Sequence, residues 1–364
     1  MSGCLGPSVV RHVCSVNRLA NVGLILVAIA IALAGLEFLL RVTGHHPYRA
    51  PVVAAASLAT QSSGPLRDTD REPANPPRAA QRVAVPPHEE DGELGYRPKP
   101  GHYIVAPPGL RPFSVTIDAN SRRITHAGGD SARARQAWFF GCSFTYGWGL
   151  DDEQTFAWKI RQASNDLDVV NFAASGYGNV HGLLQFRRAL QAGHRPKFAA
   201  IVYASFHDER NALLRFYRKD HIGRHIFPYA RLAAGKLVTV IEPVEYTPWP
   251  LQQELATVEF AEHAYNRNED WLFGSQQVTK AVLREFMSLA SAHSIPVVVF
   301  GIWNNERTRE VVSYAKTIGA IAADVSEDLE QPGAKVEGDS HPSAATNDRY
   351  AQKMLAVLRQ NHLQ

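Results

Sequence analysis

From Gln136 to the end of the chain, short runs that are apolar at every position alternate with longer stretches that are apolar on one helical face. A strand without a polar face has to be covered on both sides. Trp138-Phe139-Phe140, ended by Gly141, reads as one such strand. Val169 to Ala173, Phe198 to Ala204, Pro296 to Phe300 and Ile321 to Val325 read as further strands. Between them, Thr155 to Ser164 sets Phe156 and Ile160 on one face, and Val180 to Ala192 turns Leu183, Leu184 and Leu190 inward. Ser275 to His293 repeats Val278, Val282, Phe286 and Ala290 at helical spacing. Glu306 to Ile318 and Ser343 to Asn361 complete the helices, the last with Tyr350, Met354 and Leu358 on one stripe. This order predicts a three-layer α/β/α fold around a mainly parallel five-stranded sheet. Such a sheet carries its chemistry beyond the carboxyl ends of its strands.

The chain before this body reads differently. Leu19 to Leu36 carries no charge, and the apolar run continues to Leu40 with only Glu37 inside it. A helix needs roughly 20 such residues to cross a bilayer. A cleavable signal peptide competes with this reading, with Ala32-Leu33-Ala34 as its cleavage site. The chain stays apolar beyond that site, which favours a retained anchor over residues 19–42. Arg11 and Arg18 before the run, against Arg41 after it, place residues 1–18 in the cytoplasm and the body on the exported side.

Residues 43–90 hold eight prolines and a single aromatic, Tyr48, and read as an extended tether. Residues 91–135 read as a small β-rich lead-in, where Phe113-Ser114-Val115-Thr116-Ile117 alternates as a strand does. Residues 205 to about 274 are too long for one crossover and carry Phe216, Tyr217, Trp249 and Trp271. An insertion of this kind forms a lid or substrate wall, or a packed decoration without a ligand.

Composition narrows the function classes. The chain has 364 residues, 45% apolar and 20% charged, as a folded protein does. A net charge of +3 argues against a nucleic-acid partner. The three cysteines, Cys4, Cys14 and Cys142, form neither a disulfide framework nor a Cys-x-x-Cys zinc spacing.

Polar loops follow the strands. Gly141-Cys142-Ser143-Phe144-Thr145 ends the first one. A serine there presents its hydroxyl at the sheet edge, where backbone N–H groups and a helix N-terminus favour developing negative charge. A helix cap is the other reading. Asp339-Ser340-His341-Pro342 precedes the final helix. An acid two residues before a histidine orients the imidazole and stabilises its charged form, but it also suits a surface loop ahead of a helix. Asn171-Phe172-Ala173-Ala174-Ser175-Gly176-Tyr177-Gly178 follows the second strand, where glycine lets the backbone approach a ligand. Ser205-Phe206-His207-Asp208-Glu209-Arg210-Asn211 follows the third.

In this order the four loops resemble the sequence blocks of the SGNH hydrolase superfamily, the GDSL esterases. The resemblance covers about residues 136–364, apart from most of 205–274. It implies an SGNH/flavodoxin-like sheet, with Ser143 as nucleophile, His341 as base and Asp339 as its orienting acid. It implies an oxyanion hole from the backbone N–H groups of Ser143 and Gly176, completed by His207 or Asn211, and neither metal nor organic cofactor. Three positions depart from the pattern. Cys142 stands where the family has Asp. His207 stands where it has Asn, with Asn211 four residues later. The usual acid position, three before the histidine, is Gly338, so Asp339 takes the role with Glu337 as fallback. The two-residue spacing resembles a subset of exported, polysaccharide-modifying members.

The implied function is a serine esterase acting on an O-acyl ester, acetyl or short acyl, of a cell-envelope polysaccharide or lipid. The expected setting is the inner or plasma membrane, crossed once, with the catalytic domain exported. An O-acyltransferase with the same triad and a non-catalytic glycan-binding protein are the alternatives. A metal site from His207, His221 and His225 is a further one, although Gly223 weakens a helix there.

Overall fold

The computed structural model describes residues 7–49, 80–128, 135–220 and 226–364. The centre of the proposed tether and the histidines at 221 and 225 lie outside these. The described residues divide into two compact units. One takes those up to 49 with 246–269, and the other takes 80–245 with 270–364.

In the first unit, α1 (Pro7–Val42) contains the one described helix long and apolar enough to cross a membrane, Asn21–Val42. Its apolar side chains, such as Leu24, Leu33 and Phe38, are exposed. The polar end of α1 is put to use. Glu37 pairs with Arg41 at 2.6 Å and accepts the backbone N–H groups of Ala256 and Thr257 at 2.9 and 2.8 Å. A carboxylate thereby satisfies two of the donors that open a helix. Gln252 lies fully buried among Tyr246, Glu259 and Glu262, and its backbone carbonyl accepts from Tyr48 N–H at 2.9 Å.

The second unit is built on five strands. They are β6 (Arg135–Phe140), β7 (Leu167–Asn171), β8 (Phe198–Tyr203), β11 (Val297–Trp303) and β12 (Ile321–Glu327). Their order is β12-β11-β8-β6-β7, and every neighbouring pair is parallel. The helices are α3 (Phe156–Gln162), α4 (Asn179–Gln191), α8 (Ser275–Ser291), α9 (Glu306–Thr317) and α10 (Ala344–Gln360). The strands' side chains divide between two cores. Trp138, Phe140, Ile201 and Val299 pack with Leu183 of α4, Phe286 of α8 and Val311 of α9. Phe139, Val202, Val298 and Phe300 pack with Ile160 of α3 and Met354 of α10. The three-layer architecture expected from the alternation is therefore the one observed.

The lead-in begins earlier than the sequence suggests. Residues counted in the tether form β1 (Gln81–Val83) and all but the last residue of β2 (His88–Asp91), followed by β3 (Gly95–Pro98), β4 (Gly101–Val105) and β5 (Phe113–Ile117). β1 and β2 are too short and polar to announce themselves; they exist because they pair with β4 and β3. The inserted region holds α5 (His207–Ala212), α6 (Arg215–Asp220), the hairpin of β9 (Tyr229–Ala233) and β10 (Lys236–Val240), and α7 (Ala256–Phe273).

Candidate active site

Ser143 is the first residue after the turn that leaves β6. It opens a single helical turn, α2 (Ser143–Tyr146), which Gly147 closes with φ of 86°. One turn has little macrodipole, so its contribution is the individual backbone N–H groups rather than a long helix's field. The serine is 7% exposed. Cys142 before it is buried in the core with Phe139 and Ile160.

The last loop folds back on itself. Val336 N–H donates to His341 carbonyl at 2.8 Å and Ser343 N–H to Ala334 carbonyl at 2.9 Å. Gly338, with φ of 78°, supplies the bend, and Ser343 caps α10 by accepting from Thr346 N–H. Asp339 and His341 thus point the same way. Asp339 Oδ1 accepts from His341 Nδ1 at 2.5 Å and from His341 backbone N–H at 2.9 Å. On the other side of the ring, Nε2 meets Ser143 Oγ at 2.8 Å. The fallback acid Glu337 is exposed and makes no bond to His341.

Burial holds the His341 imidazole below its ordinary value, against the pull of Asp339. Burial works to raise Asp339, but the bonds from His341 outweigh it and hold this carboxyl low. The pair at neutral pH is therefore carboxylate and neutral imidazole. Its Nδ1–H faces the acid, and bare Nε2 accepts the serine O–H.

Ser175-Gly176 lies on the loop after β7. Gly176 has φ of 86°, and a Cβ there would meet Tyr96 Oη at 2.5 Å. That same hydroxyl donates to Ser175 carbonyl at 2.5 Å. Tyr177 returns the bond by donating its hydroxyl to Tyr96 carbonyl.

The two side chains expected to complete an oxyanion hole are used differently. Asn211 is fully buried and occupied: its amide donates to Asn179 at 3.1 Å and Thr279 at 2.8 Å while Oδ1 accepts from Val180 N–H. It fastens α5 to α4 and α8 and has no hydrogen left for a substrate, which corrects the sequence expectation. His207 is 0% exposed and held neutral by burial. Its Nδ1 accepts from Ala204 N–H at 3.5 Å, and Nε2 is enclosed without a partner among the described residues.

Several residues around the centre had no distinguishing signal in the sequence. Trp148 donates its indole N–H to Asp339 Oδ2 at 3.1 Å. Arg123, 1% exposed, pairs with Asp152 at 2.8 Å and donates to the carbonyls of Ser114, Tyr146, Gly147 and Leu150. It ties the lead-in to the turn that carries Ser143. Phe144, Phe206 and Trp303 form an aromatic wall, with ring centroids 5.5–5.8 Å apart and Phe144 5.3 Å from His341. A cavity of about 600 Å³ lies elsewhere, beside the amino halves of β6 and β7, lined by Gln136, Asp168 and His194. The described residues contain no cluster able to hold a metal ion.

No family model matches the chain, and no curated protein does. Among solved structures, it is similar to TesA at 16% identity and a TM-score of 0.35, over 62% of this chain and 99% of that one. It is similar to the psychrotrophic esterase EstA from Pseudoalteromonas sp. at 12% identity and 0.34, over 62% and 97%. It is also similar to the lipase/acylhydrolase from Enterococcus faecalis at 13% identity and 0.33, over 62% and 96%.

Proposed function

We propose that the chain is a serine hydrolase of the SGNH type that cleaves carboxylic esters. The observation that carries this is His341, bonded through one ring nitrogen to Asp339 and through the other to Ser143. A nucleophile, a base and an orienting acid in hydrogen-bond series are what acyl transfer through serine requires.

In this reading His341 Nε2 takes the hydroxyl proton as Ser143 Oγ attacks the ester carbonyl. Asp339 holds the tautomer and stabilises the imidazolium that forms. The backbone N–H groups of Ser143 and Gly176 take the oxyanion. Removing one such donor typically costs about 10²–10³-fold in turnover. His341 then protonates the departing alkoxide. Water adds to the acyl-serine with its proton passing to His341, and that proton returns to Ser143 Oγ as the carboxylic acid leaves. His207, the third donor by position, is enclosed beside Phe206 with ring centroids 5.0 Å apart, so in this reading the two backbone N–H groups carry the oxyanion.

The natural substrate is proposed to be an O-acyl ester of an envelope glycan or lipid. The apolar span Asn21–Val42 supports a membrane setting, and Arg11 and Arg18 ahead of it are the reason to put the body on the exported side. The aromatic wall supports a sugar ring or an acyl chain. Acyl transfer to a sugar hydroxyl is the second reading, favoured by the shielding of Ser143, because keeping water out gives an acceptor alcohol the advantage.

A fluorophosphonate probe with peptide mapping tests the proposal. The adduct belongs on Ser143; an unlabelled, folded chain would favour a glycan-binding role instead. Adding a sugar acceptor to the ester assay separates transfer from hydrolysis.

A further inference from the structure

One cation beside the centre is unused by the triad. Arg210 sits on α5, and its guanidinium lies 4.7 Å over the Phe206 ring. Phe206 packs on Phe144, the neighbour of Ser143, at 5.6 Å between centroids. Arg210 Nε donates to Tyr217 Oη at 2.9 Å, and Nη1 donates to Tyr177 carbonyl at 3.2 Å, one residue beyond Gly176. Among the described residues Nη2 has no bond and no carboxylate lies within ion-pair distance of the side chain, although the adjacent Glu209 carboxylate feels its charge. Asp208, its neighbour on α5, is committed to Arg307 and Tyr203.

Half-burying a charge without a contacting counter-ion is costly. Here the cation is steadied by aromatic faces and a carbonyl, and it stays partly exposed. Its charge reaches the catalytic base, since it is among the influences that lower His341. A planar guanidinium held this way, with donors to spare, is suited to a carboxylate or phosphate.

We infer that Arg210 binds an anionic group on the ester substrate, a carboxylate or phosphate close to the scissile bond. This rests on the esterase reading above. The substrate class narrows to acyl esters of acidic molecules, such as acidic sugars or phosphate-bearing lipids. Neutral esters turn over without this contact.

The test uses the full chain in detergent with two matched acetyl esters, 4-acetoxybenzoate and its neutral isostere 4-acetoxybenzamide. Wild type is expected to prefer the anion, mainly through KM, with the preference eroding as salt rises. Arg210→Gln is expected to lose about 10–100-fold in kcat/KM on the benzoate and less than about threefold on the benzamide. Arg210→Lys retains part of the preference and guards against a folding artefact. Equal losses on both esters would mean that Arg210 only holds the Tyr177 loop, and would overturn the inference. So would a wild type that hydrolyses both esters alike, and in that case the esterase reading stands. A wild type inert to both esters and to fluorophosphonate takes down the esterase reading and this inference with it. Acetylated uronate glycosides against acyl-glycerol phosphates, each beside its neutral counterpart, then tell an acidic sugar from a lipid headgroup.

Discussion

Trp148 and Asp339 are joined by an indole N–H that lies 3.1 Å from the carboxylate oxygen His341 does not use. The acid is thus held at both oxygens, and the imidazole takes its orientation from a fixed partner. Trp148→Phe removes that donor while keeping most of the ring. It should lower kcat by about 10-fold, the loss of roughly 1.4 kcal/mol from one hydrogen bond to a charged group. KM and the circular dichroism spectrum should stay unchanged. Steady-state kinetics on one aryl ester checks this, and a fall confined to KM would contradict it.

The pH profile should follow His341. The base must be neutral to accept the Ser143 proton, and burial lowers its pKa from the usual value of 6.5. Activity is therefore full at neutral pH and is lost as pH falls through a pKa below that value. The acid limb of kcat/KM measures it, and a limb above 6.5 would contradict the geometry. In Arg210→Gln the limb should move upward, since a neighbouring positive charge is removed.

Gly176→Ala should abolish turnover more than it destabilises the fold. The backbone has φ of 86°, and the added methyl would meet Tyr96 Oη. Strain of this kind costs on the order of 1–3 kcal/mol. Displacing the N–H donor costs about 10²–10³-fold in turnover. Thermal melting beside kinetics separates the two effects, and full activity would show that Gly176 N–H is not used.

Arg123→Met should be among the most destabilising single changes. It leaves Asp152 buried without its cation and removes the partner of four carbonyls. Breaking a buried pair in this way costs about 3–5 kcal/mol. At roughly 2–4 °C per kcal/mol for a unit of this size, Tm should fall by about 10 °C. A shift below about 3 °C would show that the lead-in is not coupled to the Ser143 turn.

What could be read in the sequence follows from how local each signal is. β6, β8 and β11 are buried on both faces, so Trp138-Phe139-Phe140 and Val297-Val298-Val299 stand out by composition alone. Asp339 and His341 are two residues apart, so their partnership is written in one loop. Ser143 is 198 residues from His341, and joining them needed the order of the strands and a family resemblance. The supports are different again. Tyr96 reaches Ser175 across 79 residues, and Trp148 reaches Asp339 across 191. An ordinary tyrosine or tryptophan carries no mark of such a contact. Asn211 misled for the same reason, because its amide is spent on Asn179 and Thr279 from other helices. β1 and β2 owe their shape to pairing rather than propensity, so composition alone extends the tether over them.

The most direct measurement is turnover of a short-chain aryl ester by the full chain in detergent, with Ser143→Ala and His341→Ala beside it. Both variants should lose at least about 10³-fold in kcat, with secondary structure intact by circular dichroism, because triad members act as a unit. Turnover that survives Ser143→Ala would contradict the account.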